Sequence, residues 1–355
     1  MANLLDYLDR AVKDNASDLF IVAGGPVCEK LNKQIISIGE ERILPKDSEE
    51  LITQLYAQAQ RPIDRYLREG DDDFSFSVGG LARFRVNTYR QRGSLAAVVR
   101  VVAFGIPDWQ ELHIPPQVME LANLTDGMVL VTGTAGSGKS TTQACIIDRI
   151  NQNRSGHIIT LEDPIEYLHR NNKSIVSQRE IAIDTEDYLS ALRACLRQAP
   201  DVILLGEMRD YETIRTAMTA AETGHLLIAT LHTKGAVNTV DRIVDSFPSG
   251  QQDQIRAQLS MVLRTVVSQQ LMPSTDGGMV PAYEIMHVND AIRNMIRENK
   301  SSQIDAAITS GVSEGMISMD ISICELYKAG KITADTALEC SDNVETQRRR
   351  MGIPR

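Results

Sequence analysis

Gly133-Thr134-Ala135-Gly136-Ser137-Gly138-Lys139-Ser140, entered from Met128-Val-Leu-Val-Thr132 and left through Thr141-Thr142, is the stretch that decides the fold. The residues before it are apolar or β-branched and predict a buried strand, while Ser140-Thr-Thr142 opens a helical pattern. Between them lies G-x-x-x-x-G-K-S, which carries meaning only in that strand-loop-helix setting. Glycines let main-chain N–H groups converge on phosphate oxygens, and the helix behind points its positive end at the same place. Lys139 is placed to reach the β- and γ-phosphates, and Ser140 to ligate Mg²⁺. The stretch therefore predicts ATP and Mg²⁺ as ligands.

Downstream, short apolar runs at residues 157–161, 202–205 and 226–230 alternate with helical stretches, the order of a doubly wound parallel sheet. Two of these runs end in acids. Asp201-Val-Ile-Leu-Leu-Gly-Glu207 brings a carboxylate to the edge where phosphates lie in such a sheet. There Glu207 would polarise an attacking water, although the local pattern alone fits a surface glutamate equally well. His157-Ile-Ile-Thr-Leu161 leads into Glu162-Asp163-Pro164-Ile165-Glu166, and Pro164 blocks helical continuation so that the acids stay at the sheet edge. His225 and His232 bracket the third run, positions suited to sensing a γ-phosphate.

Upstream, Leu4, Leu5, Leu8 and Val12 recur at helical spacing before a strand at Asp18-Leu-Phe-Ile-Val22, and a second helical segment covers residues 48–70. Asp73-Phe-Ser-Phe-Ser-Val78 then alternates at period two, turns at Gly79-Gly80 and returns as Ala82-Arg-Phe-Arg-Val-Asn-Thr-Tyr89, a hairpin followed by a strand at 95–102. Arg83, Arg85, Arg90, Arg92 and Arg100 concentrate there. They read either as a solvated sheet face or as arginines offered to a neighbouring subunit's phosphates, and spacing does not choose between the two. Residues 249–272 carry Ile255, Leu259, Val262 and Val266 on one helical face and predict a single long helix. The expected division is a first domain at 1–103, a Pro-rich linker at 104–118, the P-loop domain at 119–282, and a helical C-terminal portion with a polar tail at 283–355.

A chain of 355 residues fits two domains, each able to bury a core. With 47 acidic against 37 basic residues the net charge is -10, which repels polyanions and argues against a nucleic-acid partner. The five cysteines are scattered, as reduced thiols are, and no apolar stretch approaches a membrane span. The start of the chain lacks the order of a signal peptide, so a cytoplasmic location is expected.

Four ordered motifs carry a resemblance: the glycine-rich loop, Ile159-Thr-Leu-Glu-Asp-Pro-Ile-Glu-Tyr167, Pro200-Asp-Val-Ile-Leu-Leu-Gly-Glu-Met-Arg-Asp210, and Ala221-Glu-Thr-Gly-His225 with Thr230-Leu-His-Thr233. They resemble the Walker A, Asp box, Walker B and His box of the type II/IV secretion ATPase superfamily, and within it the PilT/PilU group of type IV pilus retraction ATPases. The resemblance implies an α/β chain with a small PAS-like α+β N-terminal domain and a RecA-like P-loop ATPase domain with a helical C-terminal portion. It implies a homohexameric ring, with or without a paralogue, that hydrolyses ATP with Mg²⁺. Force would pass to a membrane platform protein, at the inner face of the cell membrane.

By the same resemblance Glu207 is the catalytic carboxylate, Glu162 supports the metal through water, and Lys139, Ser140 and Thr141 hold phosphate and Mg²⁺. His225 and His232 are implied sensors, and Arg85, Arg92 and Arg100 the candidates for arginines acting in trans. The extra N-terminal domain and four-cysteine insertion of assembly members are not found, which favours retraction. An accessory or scaffold ring with little turnover stands as the alternative. The choice between PilT-type and PilU-type stays open, because Leu196-Arg-Gln-Ala-Pro200 and residues 340–355 resemble the latter, Gly206-Glu-Met-Arg-Asp210 the former.

Overall fold

The computed structural model describes residues 3–31, 34–102 and 105–353. The expected end of the first domain at 103 and start of the linker at 104 lie outside them, as do the outermost residues of the expected first domain and tail. The chain divides into two compact units, Met1–Gly105 with Glu166–Leu168, and Ile106–Ile165 with His169–Arg355.

In the first unit the strands β1 (Asp18–Val22), β2 (Cys28–Leu31), β3 (Gln34–Ser37), β4 (Asp71–Val78), β5 (Ala82–Gln91) and β6 (Ser94–Val102) form one antiparallel sheet, ordered β3-β2-β1-β6-β5-β4. Period-two patterning sets its register. Ala82, Phe84, Val86 and Thr88 of β5 are buried while Arg83 and Arg85 between them are not, and Phe74 and Phe76 of β4 join the same core. Helices Leu4–Lys13 and Pro45–Gln58 bury Leu8, Leu51 and Leu55 in that core. The helical segment expected over 48–70 is two helices, because Pro62 cannot donate to a helical ladder and Gln60 takes a φ of 51° before Asp64–Glu69 begins. This is a small PAS-like α+β domain.

The second unit is built on β7 (Gly127–Thr132), β8 (His157–Glu162), β9 (Ile175–Glu180), β10 (Val202–Leu205), β11 (Leu226–Leu231), β12 (Leu263–Pro273) and β13 (Met279–His287), ordered β13-β12-β7-β11-β10-β8-β9. All neighbours are parallel except β12 and β13. The central strands are buried on both faces, hence their unbroken apolar runs. One face packs Val129, Val131 and Val267 against Ile146 and Ile150 of the helix Lys139–Asn153. The other packs Met128, Leu130 and Val266 against the helices Tyr211–Glu222, Ala236–Asp245 and Gln252–Val262. It is the RecA-like arrangement.

The long helix expected over 249–272 is corrected. A 3₁₀ turn at Ser249–Gln251 leads into an α-helix that covers only Gln252–Val262, and the chain then runs into β12, where the β-branched Thr265-Val266-Val267 pairs with β7 on one side and β13 on the other. Gly277-Gly278 turns the β12–β13 hairpin, and β13 runs through the division expected at 282/283, so helices take over from Asp290. The expected polar tail includes the helix Val344–Met351, which buries Gln347 and Met351. No helix among the described residues is long and apolar enough to cross a membrane.

Candidate active site

Parallel pairing brings the chemistry to one edge. Leu231 of β11 lies opposite Thr132 of β7, and Leu205 of β10 lies opposite Ala229 of β11 and Leu161 of β8. The residues that end or follow these strands, Gly133, His232, Glu207 and Glu162, therefore emerge side by side at the carboxyl edge, where open α/β sheets bind ligands.

The loop after β7 is shaped by positive φ. Gly133 sits at 138°, Gly136 at 75° and Gly138 at 89°, the last leading directly into the helix Lys139–Asn153. A Cβ on Gly133 would stand 2.2 Å from the main-chain oxygen of Gln269 and 2.7 Å from Ser137 Oγ, so no other residue fits. Lys139 is 8% exposed, and its Nζ donates to the carbonyls of Gly133 and Thr134, each at 2.8 Å, which seats the ammonium over the loop. Thr134, Ala135 and Gly136 are exposed at the rim, while Ser140 and Thr141 occupy the half-buried first helical turn. Ser137 Oγ is buried inside the loop with no hydrogen-bond partner among the described residues.

Glu207 faces this loop's edge from the turn after β10. Its Oε1 lies 3.1 Å from His232 Nε2 and its Oε2 2.8 Å from an Arg209 Nη. Burial pushes the carboxyl up, but the hydrogen bond and charge of Arg209, joined by His232, outweigh it and hold Glu207 below the usual carboxylate value. The turn itself is pinned to both neighbours. Gly206 N donates to Leu161 O at 2.8 Å, Met208 N to Thr230 O at 3.2 Å, and Thr230 Oγ1 to Gly206 O. A Cβ at Gly206 would meet Tyr188 Oη at 2.8 Å. Glu162 Oε1 accepts from Thr160 Oγ1 at 2.6 Å and from Gln178 Nε2 of β9 at 3.2 Å, which fixes its orientation.

His225 is not brought into this cluster. Gly127 N donates to His225 O at 3.1 Å, so His225 stands at the opposite edge of the sheet, one strand length or roughly 20 Å away. Its Nδ1 is held by Ala220 O at 2.9 Å and Thr223 Oγ1 at 3.1 Å, as a helix-end histidine. The arginines lie in the first unit. Arg85 of β5 pairs in register with Arg100 of β6, Arg100 Nε lies 3.0 Å from Asp18 Oδ1, and Arg92 takes a φ of 51° in the exposed turn joining the two strands. Gln178, Arg209 and Gln269 were not singled out in the sequence. Arg209 alone had a local signal, two residues after the strand-ending Glu207.

The family model for the type II/IV secretion system protein matches residues 2–319. The chain belongs to the type II/IV secretion system protein family. It is 42% identical over 338 residues to the type IV pilus retractation ATPase PilT of Pseudomonas aeruginosa, covering 95% of this chain and 97% of that one. With the type IV pilus ATPase PilU of the same organism the identity is 36%, over 95% of this chain and 88% of that one. A crystal structure of the pilus retraction motor PilT with bound ADP matches with a TM-score of 0.88 at 44% identity, over 98% of this chain and 100% of that chain.

Proposed function

We propose that this chain is an ATP-hydrolysing motor, working as a homohexameric ring, that powers retraction of type IV pili and so supports twitching motility. One observation carries the reading: Gly133–Lys139, Glu207, His232 and Glu162 meet at a single sheet edge in a chain similar over 95% of its length to a retraction ATPase. Similarity to PilT exceeds similarity to PilU and favours the retraction motor over the accessory ring.

The residues present fit a nucleoside triphosphate. Glycines with positive φ curl the loop into a turn that side chains at Gly133 and Gly138 would not permit, Lys139 holds a positive charge over it, and the buried Ser137 hydroxyl has no hydrogen-bond partner among the described residues. Ser140 would ligate Mg²⁺, with Glu162 supporting it through water. Bound there, the cation would neutralise charge on the β- and γ-phosphates. Glu207, ionised at neutral pH, accepts a hydrogen bond from the attacking water and sets it in line with the γ-phosphorus. His232, fixed on Glu207, reports whether a γ-phosphate is present. Lys139 and an arginine from a neighbouring subunit stabilise the charge that develops on the transferring group. In the cell the ring would sit at the cytoplasmic face of the membrane, on a membrane platform protein of the pilus machine.

Steady-state phosphate release from the purified chain tests this. Lys139→Ala and Glu207→Gln should each lower turnover by at least about a hundredfold, while Glu207→Gln keeps its nucleotide. Turnover equal to the parent's in either variant rejects the site, and nucleotide binding without sustained turnover in the parent leaves a scaffold ring.

A further inference from the structure

Strand β12 does more than extend the sheet. Gln269, 3% exposed, touches the phosphate loop at both of its ends. Its main-chain oxygen closes on Gly133, where a Cβ would come within 2.2 Å, and its Nε2 faces Gly138, where a Cβ would come within 2.8 Å. The same side chain accepts at Oε1 from Thr142 Oγ1 at 2.8 Å, and so it is also tied to the first turn of the helix behind the loop. Parallel pairing places it there, since Ser268 is in register with Thr132 and Gln269 comes next, beside Gly133. The side chain lies on the sheet face that carries this helix, with Val267 packed in the same core.

A phosphate loop works by holding several N–H groups at fixed directions, and its glycines give it no rigidity of their own. Rigidity has to come from what the loop leans on. We propose that Gln269 is a positioning residue for the phosphate cradle: its amide, locked by Thr142, sets the spacing between Gly133 and Gly138 and thereby the affinity for the nucleotide's phosphates. The inference rests on the nucleotide site proposed above. A glutamine suits the post because one planar group offers an acceptor to the helix and a donor-bearing nitrogen to the loop without placing a negative charge next to phosphate.

Gln269→Met keeps the volume, removes the hydrogen bond from Thr142 and takes the amide nitrogen away from Gly138, while leaving the main-chain contact at Gly133. Thr142→Val removes only the hydroxyl that locks the amide, and Thr142→Ser keeps that hydroxyl. The full-length chain and these variants are compared by equilibrium binding of ADP and ATP, by KM and kcat for ATP, and by thermal unfolding without nucleotide. Gln269→Met and Thr142→Val should each weaken ADP binding and raise KM about tenfold, with kcat changed less than threefold. Thr142→Ser should recover most of the affinity lost in Thr142→Val. Because both act through one contact, the double variant should bind little worse than Gln269→Met alone. Parent-like affinity in Gln269→Met or Thr142→Val overturns the proposal, and so does a loss accounted for wholly by a lower unfolding temperature without nucleotide. Failure of the parent to bind nucleotide at all rejects the proposed function instead, which keeps the two separable.

Discussion

Glu207 shows how single contacts tune the site. Left to burial alone its carboxyl would rise, and a protonated Glu207 would offer the attacking water only a weak neutral acceptor in place of a charged one. Arg209 at 2.8 Å and His232 at 3.1 Å reverse the sign and keep it ionised. A depressed pKa means that the active form persists as pH falls until the folded value is passed. Arg209→Ala removes the larger opposing partner, so the acid limb of the kcat profile should shift to higher pH. A limb that stays put in a pH series of initial rates shows that Arg209 does not set this ionisation. Glu207, Glu162 and His232 were legible in the sequence because each ends an apolar run, and parallel strands deliver their ends to one edge. By the same rule His225 precedes its strand and belongs at the far edge, where it is found. Gln269 left no such trace, since its partner Thr142 is 127 positions away and chain spacing carries nothing about contacts of that range.

At the scale of elements, the β12–β13 hairpin was the part least visible in the sequence. Ile255, Leu259 and Val262 do follow a helix, and Val266 extends the same spacing by chance into a strand buried on both faces. A short apolar run of that kind looks alike in either conformation, and the β-branched Thr265-Val-Val267 was the discriminating signal. The hairpin at β4–β5 was legible because one face of it is polar and the alternation survives. The misread hairpin also anchors the segment after His232. Ser268 Oγ accepts from Gly235 N at 2.9 Å, and Glu284 Oε1 from Ala236 N at 2.7 Å. Burial, with Asp305 and Asp342 nearby, raises the Glu284 carboxyl above its ordinary value despite the N–H bonds it accepts. The stability it contributes is therefore complete below the unfolded carboxylate value and is lost as pH rises through the folded one. Glu284→Gln keeps the acceptor and drops the charge, so its denaturant midpoint should gain on the parent's progressively as pH rises above about 4.5. Glu284→Leu also drops the charge but strands the Ala236 N–H, so it should stay below Glu284→Gln by about 1–3 kcal/mol at every pH. A Glu284→Gln curve parallel to the parent's across that range contradicts the assignment.

For the whole molecule the question is what completes the phosphate site. In the proposed mechanism the second unit supplies the cradle, the water-orienting carboxylate and the histidine, and among its described residues Lys139 is the cation proposed for the γ-phosphate, with Arg209 held on Glu207. The first unit displays Arg85, Arg92 and Arg100 on two paired strands and the turn between them. If a neighbour's first unit covers the cradle in the ring, an arginine variant and a carboxylate variant damage the same composite site from different subunits. Arg85→Ala, Arg92→Ala and Arg100→Ala are each mixed in equal amounts with Glu207→Gln subunits and allowed to reassemble. For the arginine that acts in trans, both parents are inactive, but about a quarter of the interfaces in the mixed rings pair an intact Glu207 with an intact arginine, and turnover should recover to roughly that fraction of the unaltered ring. Arg100 is already engaged with Asp18 at 3.0 Å, so Arg100→Ala should also lower the stability of the first unit, which separates it from Arg85 and Arg92. If Arg85→Ala, Arg92→Ala and Arg100→Ala rings all keep the unaltered ring's turnover before mixing, none of the three serves the site, and Arg209, released from Glu207, is then the residue placed to supply the charge.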